Sequence, residues 1–360
     1  MRKIHQVLPD LVYGDAISNY AIEMKGYLRG HGYASDIFAS RCYDARVTHE
    51  ARIFKPDLIE ENDAILYHHS IGSEITPFVI EHTGPKCLIY HNITPARFFE
   101  PYRPDFAKKL AEGRSNLGEM AARFAVCAGD SAYNASELKE WGFVNPFVLP
   151  IPVSPNKWSG SPDSGLMNRL GDGKTNILFV GRIVPSKCLH DLVAAFSEYL
   201  SMDLDARLII VGEYLPDDPY YSHLVHTIQR HGLTDQVTLA GKVSDGELEA
   251  CYRSADLFWS MSEHEGFCVP VIEAMWFDVP VLAYRSSAIP ETLGESGIMF
   301  TEKGDLASVA ALARLLVRDE ELRQVVLRAQ TKRRSDFLPA AVWPRLDDLI
   351  QRMEEEFASR

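Results

Sequence analysis

Short apolar runs recur along the chain, and between them apolar positions fall every third or fourth residue. In the first half the runs are Ile4–Leu8, Ala64–Tyr67, Cys87–Tyr90, Phe124–Cys127 and Phe147–Leu149; in the second they are Asn176–Val180, Leu208–Val211, Val237–Val243, Leu257–Trp259, Val281–Tyr284 and Gly297–Phe300. Runs of this length read as buried strands, and the intervening periodicity reads as helices. Ile17, Tyr20, Ala21, Met24, Tyr27 and Leu28 outline a first helix that stops at Gly30 and Gly32. Further helices are predicted from Leu189, around Leu224–Arg230, after Ser244, over Leu306–Leu322 and over Trp343–Phe357. Strands alternating with helices predict an α/β chain with mostly parallel sheets, built twice. The break between the two halves falls near Ser159–Gly165 and Gly171–Gly173, where small and turn-forming residues collect.

Composition narrows the class. The chain has 360 residues, which favours two domains over one core. Its net charge of −13 argues against general nucleic-acid binding, which depends on neutralising phosphates. No apolar run is long enough to span a bilayer. The six cysteines are dispersed, with no C-x-x-C spacing, and read as small buried hydrophobes in a reducing cytoplasm. Arg103, Lys108, Lys109 and Arg114 alternate with apolar residues, but Glu100, Asp105 and Glu112 dilute them. That segment reads as a solvated helix face, with peripheral contact at the inner face of a membrane as the alternative.

The chemistry concentrates between Ser260 and Pro280. Glu265 and Glu273 stand eight positions apart, and Gly266 follows the first. Pro270 suits the first turn of a helix, so Glu265 is predicted in a loop and Glu273 in that first turn. A helix start has free N–H groups and a favourable dipole, so it attracts an anion. The two carboxylates would be repelled by a phosphate and suit hydroxyls around it. In the strand-to-helix turn after Val180, Arg182 and Lys187 supply a planar fork and a point charge for phosphate oxygens. Gly14 and Asp15 lie at the equivalent edge of the first sheet, although no G-x-G-x-x-G is present. Asp203-Leu204-Asp205 precedes a strand and reads as a connection rather than a metal motif. His68 and His69 read as core residues, because neighbours on a strand point to opposite faces.

Glu-Gly-Phe-x-x-Pro-x-x-Glu-Ala-Met at residues 265–275, with Gly-Arg-x4-Lys at residues 181–187, resembles the signature of retaining nucleotide-sugar glycosyltransferases of GT-B fold, family four. The family usually has Gly where this chain has Cys268, which adds a side chain beside the sugar and phosphate. The resemblance implies two Rossmann-like domains facing across a cleft. Residues 1–155 would form the acceptor side, 156–338 would bind the donor, and 339–360 would be a helix crossing back to the first domain. It implies that Arg182 and Lys187 hold the diphosphate, Glu265 the sugar hydroxyls and Glu273 the ribose, while His91 contacts the sugar. Gly14, Asp15, Gly181, Gly212, Lys242, Val243, Gly266, Phe267, Cys268 and Val269 complete the donor-binding set, with the backbone at Lys242 and Val243 meeting the base.

The implied activity is metal-independent transfer of a hexosyl unit from a nucleoside-diphosphate sugar to a saccharide or lipid-linked acceptor. No cofactor is expected. Same-face attack is favoured over double displacement, because no carboxylate nucleophile is marked in the first half. GDP-mannose is favoured as donor, because Tyr90–Pro95 resembles polysaccharide mannosyltransferases. A phosphorylase-like or sugar-phosphate-forming enzyme and a non-catalytic GT-B subunit are the alternatives.

Overall fold

Thirteen strands form two parallel sheets in a computed structural model of the chain, which describes residues 2–42, 44–158 and 160–359. The chain divides into two compact units. The first comprises Met1–Glu100, Pro104–Pro152 and Pro339–Arg360, and the second comprises Pro101–Arg103 and Val153–Leu338.

The first unit holds seven strands: β1 (Ile4–Leu11), β2 (Ile37–Cys42), β3 (Ala51–Ile53), β4 (Ala64–His69), β5 (Lys86–Tyr90), β6 (Val126–Gly129) and β7 (Phe147–Val148). Their order is β3-β2-β1-β4-β5-β6-β7. β4 and β5 are buried along their whole length, as strands covered by helices on both faces must be. That is why they read as unbroken apolar runs. The first helix, Ala16–Gly30, is N-capped by Asp15, whose carboxylate accepts from Ser18 N at 3.1 Å. The last helix, Pro339–Ala358, belongs to this unit and buries Val342, Trp343, Leu346, Leu349, Ile350 and Met353. Trp343 stacks on Tyr27 with ring centroids 5.0 Å apart.

The second unit holds six strands: β8 (Thr175–Val180), β9 (Ala206–Val211), β10 (Val237–Gly241), β11 (Leu257–Ser260), β12 (Val281–Tyr284) and β13 (Ile298–Phe300), ordered β10-β9-β8-β11-β12-β13. The helix Leu189–Leu200 begins where the sequence places it and buries Leu192, Val193 and Phe196 on its inward face, together with Leu189 at its start.

Local details depart from the sequence pattern. The strand expected at Phe124–Cys127 begins at Val126, and Phe124 is a buried residue ahead of it. The helix expected over Leu306–Leu322 is two helices, Leu306–Arg318 and Glu320–Arg334, because Asp319 caps the second by accepting from Leu322 N at 2.9 Å. The segment read as linker contains a short helix, Ser164–Leu170, capped by Asp163; Ser159 lies outside the described residues. Asp203 of the D-x-D sequence is a buried structural group, accepting from Thr175 Oγ1 at 2.9 Å and Arg318 at 2.7 Å. Among the described residues no helix is long and apolar enough to cross a membrane.

Candidate active site

In the second sheet, β8 leads to β9 on one side while β11, its other neighbour, leads to β12 in the opposite direction. Connections diverge at this point, and the crevice beyond the strand ends is where open α/β sheets take ligands. Gly181, Arg182 and Lys187 follow β8, and Glu265 follows β11, so the topology brings the two predicted motifs together.

Glycines make room at this edge. Gly181, Gly212 and Gly241 end adjacent strands, and Gly212 N donates to Gly241 O at 2.9 Å. A Cβ on Gly212 would lie 1.9 Å from the Gly181 carbonyl oxygen, so only glycine fits there. Beyond Gly241, Lys242 is exposed and Val243 half-buried.

Arg182 is exposed and forms no ion pair among the described residues. Lys187 ends the 3-10 turn Pro185–Lys187. Its Nζ lies 2.6 Å from Glu265 Oε2. Two backbone contacts set that approach: Glu263 N donates to Ser186 O at 2.9 Å, and Glu265 N donates to Ser287 Oγ at 2.7 Å. Lys303 braces the same loops, with its ammonium 2.9 Å from Asp191 Oδ2 and 2.8 Å from Glu263 Oε1. Cys188, Asp191 and Glu263 are close enough together to ligate a metal. The Lys303 ammonium already supplies positive charge to both carboxylates.

The helix after Glu265 starts at Val269, one residue before Pro270. Glu273 is therefore its fifth residue and lies beyond the first turn, not within it as the Pro270 rule predicts. The early start follows from Cys268, which caps the helix from the left-handed region at φ 74° and ψ 66°. Phe267 is buried edge-on against Phe337, with ring centroids 5.4 Å apart. Gly266 and Val269 flank these two residues on the loop and the helix start. Glu273 is buried, and both carboxylate oxygens are occupied: Tyr252 Oη donates to Oε2 at 2.8 Å, and Lys157 Nζ lies 2.5 Å from Oε1. Sequence reasoning missed Tyr252 and Lys157. Neither stands in a motif, and only the fold brings them to Glu273.

In the first unit, Gly14 adopts φ 79° after β1. The Asp15 carboxylate is committed to capping, with Ser18 Oγ donating to Oδ2 at 3.2 Å as well as Ser18 N. His91, just beyond β5, belongs to a buried polar chain. The Gln6 amide donates to Ala21 O at 2.9 Å, which turns Gln6 Oε1 to His68 Nε2 at 3.0 Å. A neutral His68 then accepts at Nδ1 from His91 Nε2, 2.8 Å away, and His91 Nδ1 meets Asp130 Oδ2 at 2.8 Å. One proton lies in the His91–Asp130 bond, whichever atom holds it. Burial raises the Asp130 carboxyl against the pull of His91, and burial holds the His68 imidazole well below its usual range. Both ring nitrogens of His91 are engaged within the first unit, so neither is free for the sugar contact expected of it. A sugar hydroxyl could bond the ring only by displacing His68 or Asp130. His68 is a core residue as expected, but it is also the partner that orients His91.

The geometry thus assembles Arg182, Lys187, Glu265, Glu273 and the helix start at Val269 within the second unit. It leaves Gly14, Asp15 and His91 in the first. Residues 168–333 match the family model described as glycosyl transferases group 1. Among relatives, the chain is 32% identical over 149 residues to a D-inositol 3-phosphate glycosyltransferase of Segniliparus rotundus, covering 41% of this chain and 33% of that protein. It is 32% identical over 145 residues to an MMP alpha-(1->4)-mannosyltransferase of Mycolicibacterium hassiacum, covering 39% and 34%. These matches span about a third of each relative's length. The structure of the Anabaena Alr3699/HepE protein in complex with UDP-glucose is similar in fold over 100% of both chains, with a TM-score of 0.77 at 16% identity. The segment 168–333, which carries both signature motifs, is thus similar to the glycosyl transferases group 1 family, and the chain as a whole has a GT-B-like fold.

Proposed function

We propose that the chain is a retaining, metal-independent glycosyltransferase that moves a hexosyl unit from a nucleoside-diphosphate sugar to a saccharide or lipid-linked acceptor. The observation that carries this reading is the contact of Lys187 with Glu265 at the strand edge that also bears Arg182, beside the start of the helix Val269–Trp276 that holds Glu273. Arg182 and Lys187 hold the diphosphate and stabilise the charge that grows on it as the glycosidic bond breaks. The helix start adds backbone donors and a favourable dipole. Glu265 accepts from the sugar hydroxyls and Glu273 from the ribose. The glycine row after β8, β9 and β10 lets the donor approach backbone, and Lys242 and Val243 meet the base.

The first unit is proposed as the acceptor side. His91 takes part only in a ligand-bound state where its ring has given up the bond to His68. Same-face attack, with the departing phosphate accepting the acceptor's proton, is the favoured course. Mannose is the favoured sugar, supported by the Tyr90–Pro95 resemblance and by the mannosyltransferase among the relatives.

Calorimetric titration with GDP, UDP and ADP in the absence of divalent metal tests the donor site. Tight binding of one diphosphate is the expected result. Product analysis with the matching sugar donor then reads the anomeric configuration. Failure to bind any of the three diphosphates would overturn the proposal.

A further inference from the structure

Glu273, the carboxylate set against the ribose in the proposed function, is closed off by its own unit. Its side chain is only 4% exposed. The two groups that close it differ in kind. Tyr252 is fully buried and stacks on Phe277 with ring centroids 5.3 Å apart, so its hydroxyl on Oε2 is part of the core. Lys157, on Oε1, has a side chain 29% exposed and rises from the short turn Pro155–Trp158. That turn is anchored by Trp158, which is buried edge-on against Phe277 and Tyr252 at 4.9 and 6.0 Å. A fixed backbone and a flexible four-carbon stem let the ammonium leave Glu273 without disturbing the packing around it.

We propose that Lys157 is a stand-in for the ribose: in the empty site its ammonium donates to the Glu273 oxygen that the ribose hydroxyls must take, and a ribose-bearing nucleotide binds by displacing it. The inference rests on the assignment of Glu273 to the ribose. An ammonium offers only donors, as the ribose hydroxyls do toward a carboxylate. With Oε2 held from within the core and so little of the side chain exposed, the ribose has no other way in. The apparent affinity for the nucleotide is lowered by the fraction of molecules in which the pair is closed. A ligand without ribose, bound only at Arg182 and Lys187, leaves that pair shut and is unaffected.

The test is titration of the full chain, as wild type, Lys157→Ala and Lys157→Met, with UDP, GDP and ADP and separately with inorganic pyrophosphate. Lys157→Met keeps most of the stem and removes only the ammonium, which also lies over the Trp158 ring at 4.6 Å from its centroid. Melting curves identify any variant that does not fold. Both variants are expected to bind the preferred nucleotide about fivefold more tightly, the scale of a partly exposed ion pair, with pyrophosphate affinity unchanged. Unchanged nucleotide affinity overturns the proposal. So does weaker binding of both nucleotide and pyrophosphate, which would make Lys157 a phosphate ligand. Glu273→Gln separates the two levels. If it weakens nucleotide binding while the Lys157 variants change nothing, only the stand-in role fails. If it leaves nucleotide binding intact, the ribose assignment fails and the stand-in role fails with it.

Discussion

Lys187 Nζ lies 2.6 Å from Glu265 Oε2, so a cation assigned to the diphosphate and an anion assigned to the sugar neutralise each other. Both side chains are largely buried. Removing one leaves the other's charge desolvated and unpaired. In a double-mutant cycle of Lys187→Met and Glu265→Gln, urea unfolding is expected to give a coupling of about 1 kcal/mol or more. Additive effects would mean that the pair contributes nothing to the empty site.

Arg182 offers the contrast. It is exposed and has no ion pair among the described residues, so Arg182→Ala should change stability by about 0.5 kcal/mol or less. Its loss should remove roughly 2–4 kcal/mol of transition-state stabilisation, read as kcat/KM with the matching donor. Near-normal turnover in a folded variant would remove Arg182 from the mechanism.

The glycine row makes a steric prediction. A Cβ at Gly212 would meet backbone atoms of Gly181 at 1.9 and 2.5 Å, and backbone cannot swing aside as a side chain can. Gly212→Ala is expected to destabilise the fold by about 3 kcal/mol and to abolish diphosphate binding. Gly304, where a Cβ meets nothing within 4 Å, is the control, and its alanine variant should bind and melt as wild type does.

Cys268 holds an L-residue at φ 74°. Cys268→Ala keeps that strained backbone, whereas Cys268→Gly relieves it. The glycine variant should therefore be the more stable of the two by about 1 kcal/mol in urea unfolding. Equal stability would mean that the cap carries no strain. A comparison of kcat/KM between the two would then show whether the family's usual glycine also suits the donor better.

Buried imidazoles set the acid side of the stability curve. Burial lowers His69 from 6.5 to about 4 and pushes His68 well below 6.5. The unfolded chain takes up protons that these folded rings refuse. Their contribution is therefore complete above pH 6.5 and lost as pH falls toward about 4, on the order of 3 kcal/mol for His69. His5, His82 and His190, also lowered by burial, add in the same sense. Asp130, raised by burial, opposes them. Several rings against one carboxyl leave the urea midpoint rising between pH 4.5 and 6.5. A flat profile would contradict the buried neutral state of these histidines.

Much of this molecule is legible in local pattern. The apolar runs become strands because parallel strands covered on both faces need uninterrupted apolar side chains. Glu265 and Glu273 on one loop and helix, and Arg182 and Lys187 in one turn, are contiguous motifs, so the sequence determines their relation before any folding is considered. Packing decides the rest. Lys157 reaches Glu273 across 116 positions, and Gln6 reaches His68 across 62, because the order of strands and the docking of turns bring distant segments together. The helix at Val269 starts early because the loop fixes Cys268 in the left-handed region, which no propensity for cysteine predicts. Spacing along the chain determines which residues share a turn or a helix face. Only the tertiary structure determines which partner occupies each buried charge, since a buried charge is satisfied by whatever the packed chain brings within hydrogen-bonding distance.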